Sequence, residues 1–208
     1  MDNGTYEPNA NPSACDIPPP LRPRLSFFHA NARGTGCAVM LELRPAYGIV
    51  EGCIMMTLAN QLTVGDRRGP SPVYPTFDMD NRMVVKLGFP DLTKMLQVFR
   101  GECESIDGEK GLFHRAPRFS TQVTLRHRLE PVPGYALDVF RSGGDLEDRH
   151  AGIVLTPAEA MGLTKAVEAS LGVLCFGIPA VTEYERRQEL ALRQAQAKPK
   201  EGRDVRAA

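Results

Sequence analysis

The 208-residue sequence has no net charge, because 25 Lys+Arg balance 25 Asp+Glu. That excludes a histone-like, uniformly basic binder. It leaves room for a local basic patch, which is what nucleic-acid binding requires. No stretch approaches the ~18 consecutive apolar residues of a membrane-spanning helix. The opening residues Met1, Asp2, Asn3 and Gly4 form neither a basic n-region nor an apolar h-region, so no secretory signal is expected. There is no tryptophan, and the five cysteines are odd in number with no C-x-x-C pair. A disulfide framework or zinc ribbon is disfavoured, and a reducing, cytoplasmic setting is expected; an organellar one is compatible. Also absent are the G-x-S-x-G elbow, Cys/His pairing, the phosphate-binding loop and the dinucleotide fingerprint. No enzyme activity and no cofactor are expected, and the four histidines lack metal-ligand spacing.

Glycine (19) and proline (17) are raised, which favours short strands and turns over a helical bundle. Residues 1–24 are rich in turn formers and end in Pro18-Pro19-Pro20-Leu21-Arg22-Pro23, which reads as an extended or disordered arm. The folded domain is expected over 25–180. Residues 181–208 read as a charged tail, helical over 182–196 and disordered at the end.

Inside the domain the period is mostly two. Cys37, Val39, Leu41 and Leu43 alternate with Ala38, Met40, Glu42 and Arg44. Val123, Leu125, His127 and Leu129 alternate with Gln122, Thr124, Arg126 and Arg128. Each pattern reads as a strand with one buried and one wet face. Further strands are expected over 25–29, 50–58, 83–89, 112–115, 135–140 and 150–155. Two segments switch to a helical period, 90–100 ending at Gly101 and 157–171 ending at Gly172. Thr156-Pro157-Ala158-Glu159 is a capping box with proline at the first helical position. The order is strand, strand, strand, strand, helix, twice over: an internal repeat of pattern, not of sequence.

The strongest chemical signal lies between Glu109 and Glu130, where no acidic residue occurs. That window holds Lys110, Arg115, Arg118, Arg126 and Arg128 with His114 and His127, interleaved with Phe113 and Phe119. Guanidinium groups pair with phosphates and stack on bases, and exposed phenylalanines stack on bases. The alternative is a solvated strand face balanced by Glu42, Glu130 and Asp138, with the phenylalanines in the core. Arg67 and Arg68, in a turn-rich stretch, form a second basic site or an ordinary loop. Arg33 with Gly34 and Gly36 is a third, because glycines let backbone N–H groups approach a ligand. His127, on the apolar side of its strand, reads as a hydrogen-bonded core residue. Asp78 and Asp80 read as turn caps, and Met40, Met55, Met56, Met83 and Met95 as core filling.

Five segments, in order, resemble the Whirly family of single-stranded DNA binding proteins, whose plan the kinetoplastid guide-RNA-binding proteins share. Arg33-Gly34-Thr35-Gly36-Cys37-Ala38 resembles the family's Lys-Gly-rich start of the first long strand. Phe77-Asp78-Met79-Asp80-Asn81-Arg82 resembles its Tyr-Asp-Trp-Ser-Arg-Lys segment. Leu112-Phe113-His114-Arg115 resembles Phe-Phe-His-Asp, and Leu129-Glu130-Pro131-Val132-Pro133 resembles Val-Glu-Pro-Leu-Pro. Ile153-Val154-Leu155-Thr156-Pro157-Ala158-Glu159 resembles the start of its second helix. Arg33 and Thr35 stand where the family has lysines, Met79 where it has tryptophan, and Arg115 where it has aspartate. The resemblance implies an α+β fold of two β-β-β-β-α repeats, forming two antiparallel sheets with two helices packed at one side. It implies a single-stranded DNA partner, a role in replication, recombination or repair, and a homotetramer assembled through the helices. Two other functions stay open: an RNA-annealing chaperone, and an assembly subunit without nucleic-acid affinity, which the neutral charge and the Lys-to-Thr and Asp-to-Arg changes keep open.

Overall fold

The computed structural model describes residues 24–46, 49–66, 68, 70–143 and 147–177, with Arg187, Gln188, Leu190 and Arg193 of the tail. The expected N-terminal arm lies outside the described residues except for Arg24. Most of the tail lies outside them too, although its four described residues are helical.

The period-two segments form strands. The first sheet is β1 (Arg24–His29), β2 (Cys37–Arg44), β3 (Cys53–Asn60) and β4 (Met83–Leu87), antiparallel throughout and in that spatial order. It runs into α1 (Phe89–Phe99). The second sheet repeats the plan with β5 (Leu112–Arg115), β6 (Ser120–Arg128), β7 (Gly134–Ser142) and β8 (Arg149–Leu155), followed by α2 (Pro157–Phe176). The internal repeat and the α+β class read from the sequence are both present.

Core residues come from one face of each sheet and one side of each helix. Val39, Leu41, Met56, Leu58 and Val85 meet Val123, Leu125, Leu137, Val139 and Ile153, closed by Leu92, Met95 and Leu96 of α1 and Leu163 and Val167 of α2. The helices touch each other and are pinned by Arg100, whose Nε and Nη2 donate to Glu168 Oε1 at 3.1 and 2.9 Å. The expected capping box is formed: Thr156 Oγ1 accepts from the Glu159 N–H at 3.2 Å, and Glu159 Oε2 accepts from the Thr156 N–H at 2.8 Å. Glu159 Oε1 also meets His29 Nε2 at 2.8 Å, tying β1 to the start of α2.

The structure corrects several readings. β3 starts at Cys53, and Val50 is exposed. Phe89 begins α1 instead of ending β4, because Asp91 Oδ2 accepts the Gly88 N–H at 3.0 Å and starts the helix there. α2 runs through Gly172 to Phe176 and is capped by Gly177, whose φ is 70°. An interior glycine costs about 1 kcal/mol relative to alanine. Burial of Leu174 in the core offsets it. Ala38 and Met40, read as the wet face of β2, are buried; β2 is an inner strand, with Ala38 flanked in register by Phe28 and Ala59. His127 is exposed at the end of β6, its ring 5.0 Å from that of Tyr135, and is not a core residue. Of the methionines read as core, Met40, Met56, Met83 and Met95 are buried and Met55 is half-buried.

Candidate nucleic-acid interface

Strand alternation and register fix what the outer face of the second sheet presents. Phe113 of β5 sits beside Gln122 of β6, Gln122 beside Phe140 of β7, and Phe140 beside His150 of β8. This row crosses all four strands and carries three rings. Phe113 and Phe140 are 68% and 43% exposed, too wet for core residues. Phe140 and His150 stack with centroids 4.3 Å apart and planes at 16°. His150 Nε2 meets Asp138 Oδ1 at 2.9 Å, which fixes the imidazole. In the neighbouring rows of the same face lie Arg115 beside Ser120, Thr124 beside Asp138, Arg126 beside Ala136, and Arg128 beside Gly134. From the Arg115 row to the Arg128 row is about 27 Å, at about 3.4 Å per residue. The face is a strip with aromatic rings in the middle and guanidinium groups at both ends.

The two ends differ electrostatically. Arg126 and Arg128 border a cleft shared with Glu104, Glu109 and Glu130. The acid-free window is therefore flanked in space by three glutamates. None of them forms an ion pair with Arg126 or Arg128; Arg128 Nε instead donates to the Glu130 carbonyl oxygen at 2.6 Å. At the other end, Arg115 lies on the strip and Arg118 in the exposed turn after it, while Arg141 and Arg149, paired in register, alternate onto the opposite face. Arg141 is structural. Its Nε donates to Thr121 Oγ1 at 3.1 Å, its Nη2 to the Val84 carbonyl at 2.8 Å, and its guanidinium lies 4.3 Å from the centre of the Phe119 ring. Burial lowers its pKa, with Arg149 adding to the effect. Phe119 is thus half-buried under an arginine and is not part of the exposed strip.

Not every expected site residue joins this face. His114 points to the inner side of β5, where it pairs in register with Thr121, and its Nε2 is buried 3.6 Å from Asp91 Oδ2. Arg33, Gly34 and Thr35 form the β1–β2 turn, and their backbone is already satisfied. Asn31 Oδ1 accepts from the N–H groups of Arg33 (3.0 Å) and Thr35 (3.1 Å), and the Asn31 carbonyl accepts from Gly34 at 3.3 Å. Buried Gln61 accepts from the Gly36 N–H at 3.1 Å. The N–H groups of Arg33, Gly34, Thr35 and Gly36 are thus engaged and do not cradle a phosphate, whereas the exposed Arg33 guanidinium can contribute. Arg68 lines a cleft with Asn31 and Ala32 of that turn, which brings the second and third basic sites together. Arg67 lies outside the described residues. The two regions meet where Asn60 Nδ2 donates to the His150 carbonyl at 2.8 Å. Asp78 caps a turn as expected, accepting from the Asn81 N–H at 3.0 Å and from Asn81 Nδ2 at 2.8 Å.

Sequence reasoning missed Phe140 and His150. The period-two pattern of β7 and β8 holds the signal that Phe140 and His150 lie on the wet faces. Their pairing needs the β7–β8 register.

No protein-family model matches the chain, and no curated protein matches it in sequence. Solved structures match it in fold. WHY1 from Arabidopsis thaliana superposes with a TM-score of 0.61 at 13% identity, covering 89% of this chain and 99% of that one. WHY3 from Arabidopsis thaliana gives a TM-score of 0.58 at 18% identity, covering 83% and 99%. The chain has a Whirly-like fold, as the five motif resemblances implied.

Proposed function

We propose that this protein binds single-stranded nucleic acid, DNA before RNA, without strong sequence dependence, and acts in replication, recombination or repair. The observation that carries this reading is the strip on the second sheet: exposed Phe113 and Phe140 in register across Gln122, with Arg115 and Arg126 on the same face and, among the described residues, in no ion pair with a carboxylate. Rings stack on unpaired bases of any identity, and guanidinium groups neutralise the backbone. A duplex hides its base faces and loses the stacking. The arginines of the β1–β2 turn region would extend the path along the sheet edges. The Whirly-like fold supports the same reading.

Self-assembly belongs to the proposal. Outside its buried stripe, α2 exposes Met161, Ala166, Ala169 and Phe176, so it is apolar on most sides. Such a helix needs cover. An apolar groove of about 440 Å³ between α2 and β1–β3 lies alongside. Packing the helices of four copies together would supply that cover.

One observation favours a second reading. Glu104, Glu109 and Glu130 line the same cleft as Arg126 and Arg128 and weaken its pull on a phosphate backbone, which suits a protein-binding assembly subunit. Fluorescence anisotropy with labelled single-stranded DNA, single-stranded RNA and duplex separates these readings. Preference for single strands supports the proposal, and the stronger of the two single strands names the partner. Equal binding to duplex would end the proposal, and no binding at low salt favours the assembly subunit.

A further inference from the structure

Beside Phe140 the outer face of the second sheet opens into a cleft of about 320 Å³. One wall is the Phe140–His150 ring stack. His150 covers one face of Phe140, and the ring remains 43% exposed, leaving room for another flat ring. The floor and edges carry Thr124, Asp138, Arg126 and Glu109.

Glu109 reaches the cleft because of an unusual turn. The 3-10 turn Ile106–Glu109 holds the two non-glycine residues with positive φ among the described residues, Asp107 at 48° and Glu109 at 75°. Buried Ile106 anchors it, and Lys94 Nζ pairs with Asp107 Oδ2 at 2.6 Å. Left-handed backbone at non-glycine residues costs about 1–3 kcal/mol each and clusters at functional sites. Here it brings into the cleft that Arg126 also lines a carboxylate with no ion pair among the described residues.

The polar groups select among bases. A guanidinium donates, so it seeks a base edge with acceptors; the O6 and N7 of guanine are the strongest such pair. A carboxylate only accepts, so it seeks adjacent N–H donors. Guanine offers these at N1 and N2 while presenting O6 and N7 elsewhere on the ring. Adenine lacks the ring N–H beside its amine, and thymine would set carbonyl oxygens beside a carboxylate on either side of one N–H.

We propose that the cleft beside Phe140 is a guanine subsite: the base stacks on the Phe140 ring, Arg126 donates to its O6/N7 edge, and Glu109 accepts from N1–H and N2–H. The proposal rests on the single-strand reading and adds a base preference to it.

Two measurements on the full chain test it separately from that reading. In the first, NMR follows titration with guanosine, adenosine, cytidine and thymidine monophosphates. Guanosine monophosphate is expected to shift the Phe140 ring and Thr124 signals at concentrations where the others do not. In the second, anisotropy compares an all-thymidine oligomer with ones carrying a single central guanine, inosine, adenine or cytosine. Guanine is expected to tighten binding about tenfold, and inosine, lacking the N2 amine, to recover only part. Glu109→Gln should bring the guanine-to-thymidine affinity ratio to about one. The subsite is overturned when neither measurement favours guanine. If thymidine oligomers still bind in that case, the single-strand reading stands. A selective nucleotide response without any oligomer binding keeps the subsite and sinks the strand reading.

Discussion

Phe113 and Phe140 are the residues on which stacking depends. Each ring truncated to alanine is expected to weaken single-strand binding by ~1–3 kcal/mol, since base–aromatic stacking is of that size. Thermal melts should stay near wild type, because both rings are exposed. Unchanged affinity in both variants would show that the rings are idle. Phe113 was legible in the sequence because it falls inside an arginine-rich, acid-free window. Phe140 was not, because it lies outside that window and meets His150 only through pairing with β8. The flanking glutamates escaped for a related reason: distance along the chain hides the approach of Glu104 and Glu109 to Arg126. Gly52 is a different case. A Cβ there would lie 2.2 Å from the Leu174 carbonyl oxygen of α2. Gly52→Ala must displace backbone, and a loss of about 2–3 kcal/mol in urea unfolding is expected.

Among the elements, α2 shows which signals survive translation from sequence. Its start was readable to the residue, because a capping box and a proline at the first position are local chemistry. Its end was not, because Gly172 looks like a stop unless one knows that Leu174 is buried beneath the β2–β3 connection. Likewise the wet face expected for the first half of β2 was lost, because Ala38 and Met40 sit between side chains of both neighbouring strands, a pairing that periodicity within β2 does not encode. Thr156→Ala removes the cap and should cost about 1 kcal/mol in chemical unfolding. The same cap predicts a pH dependence. Burial pushes the Glu159 carboxyl up, but hydrogen bonds from His29 and Thr156 outweigh it and hold the pKa below the ordinary 4.5. A carboxylate with a lowered folded pKa stabilises above its unfolded value, and that contribution disappears as pH falls through the folded one. Wild type should therefore exceed Glu159→Gln in stability near neutrality, and the gap should close on acidification below about pH 4. A gap independent of pH would contradict the assignment.

For the whole molecule, neutrality in sum coexists with a polarised surface. One end of the outer strip carries Arg115 and Arg118, while the other mixes arginines with glutamates. The repeat was legible because each half obeys the same order of periods. The stacking of one sheet's inner face against the other was not, since no periodicity encodes which strands of different sheets meet. If the apolar outer sides of α2 are covered by copies of themselves, light scattering should report a mass near four chains, and Met161→Asp with Phe176→Asp should lower it. A monomer at micromolar concentration would contradict that packing.

The most direct test of the central account is the affinity of the wild-type protein for a single-stranded DNA oligomer across a salt series, beside Arg115→Glu and Arg126→Glu in one double variant. Single strands neutralise counterions at about 0.7 per phosphate contact, so a log–log slope of about −2 to −3 is expected for wild type. The double variant should bind at least tenfold more weakly and with a shallower slope. Wild-type affinity and slope retained in a folded double variant would show that nucleic acid, if bound at all, does not lie on this face.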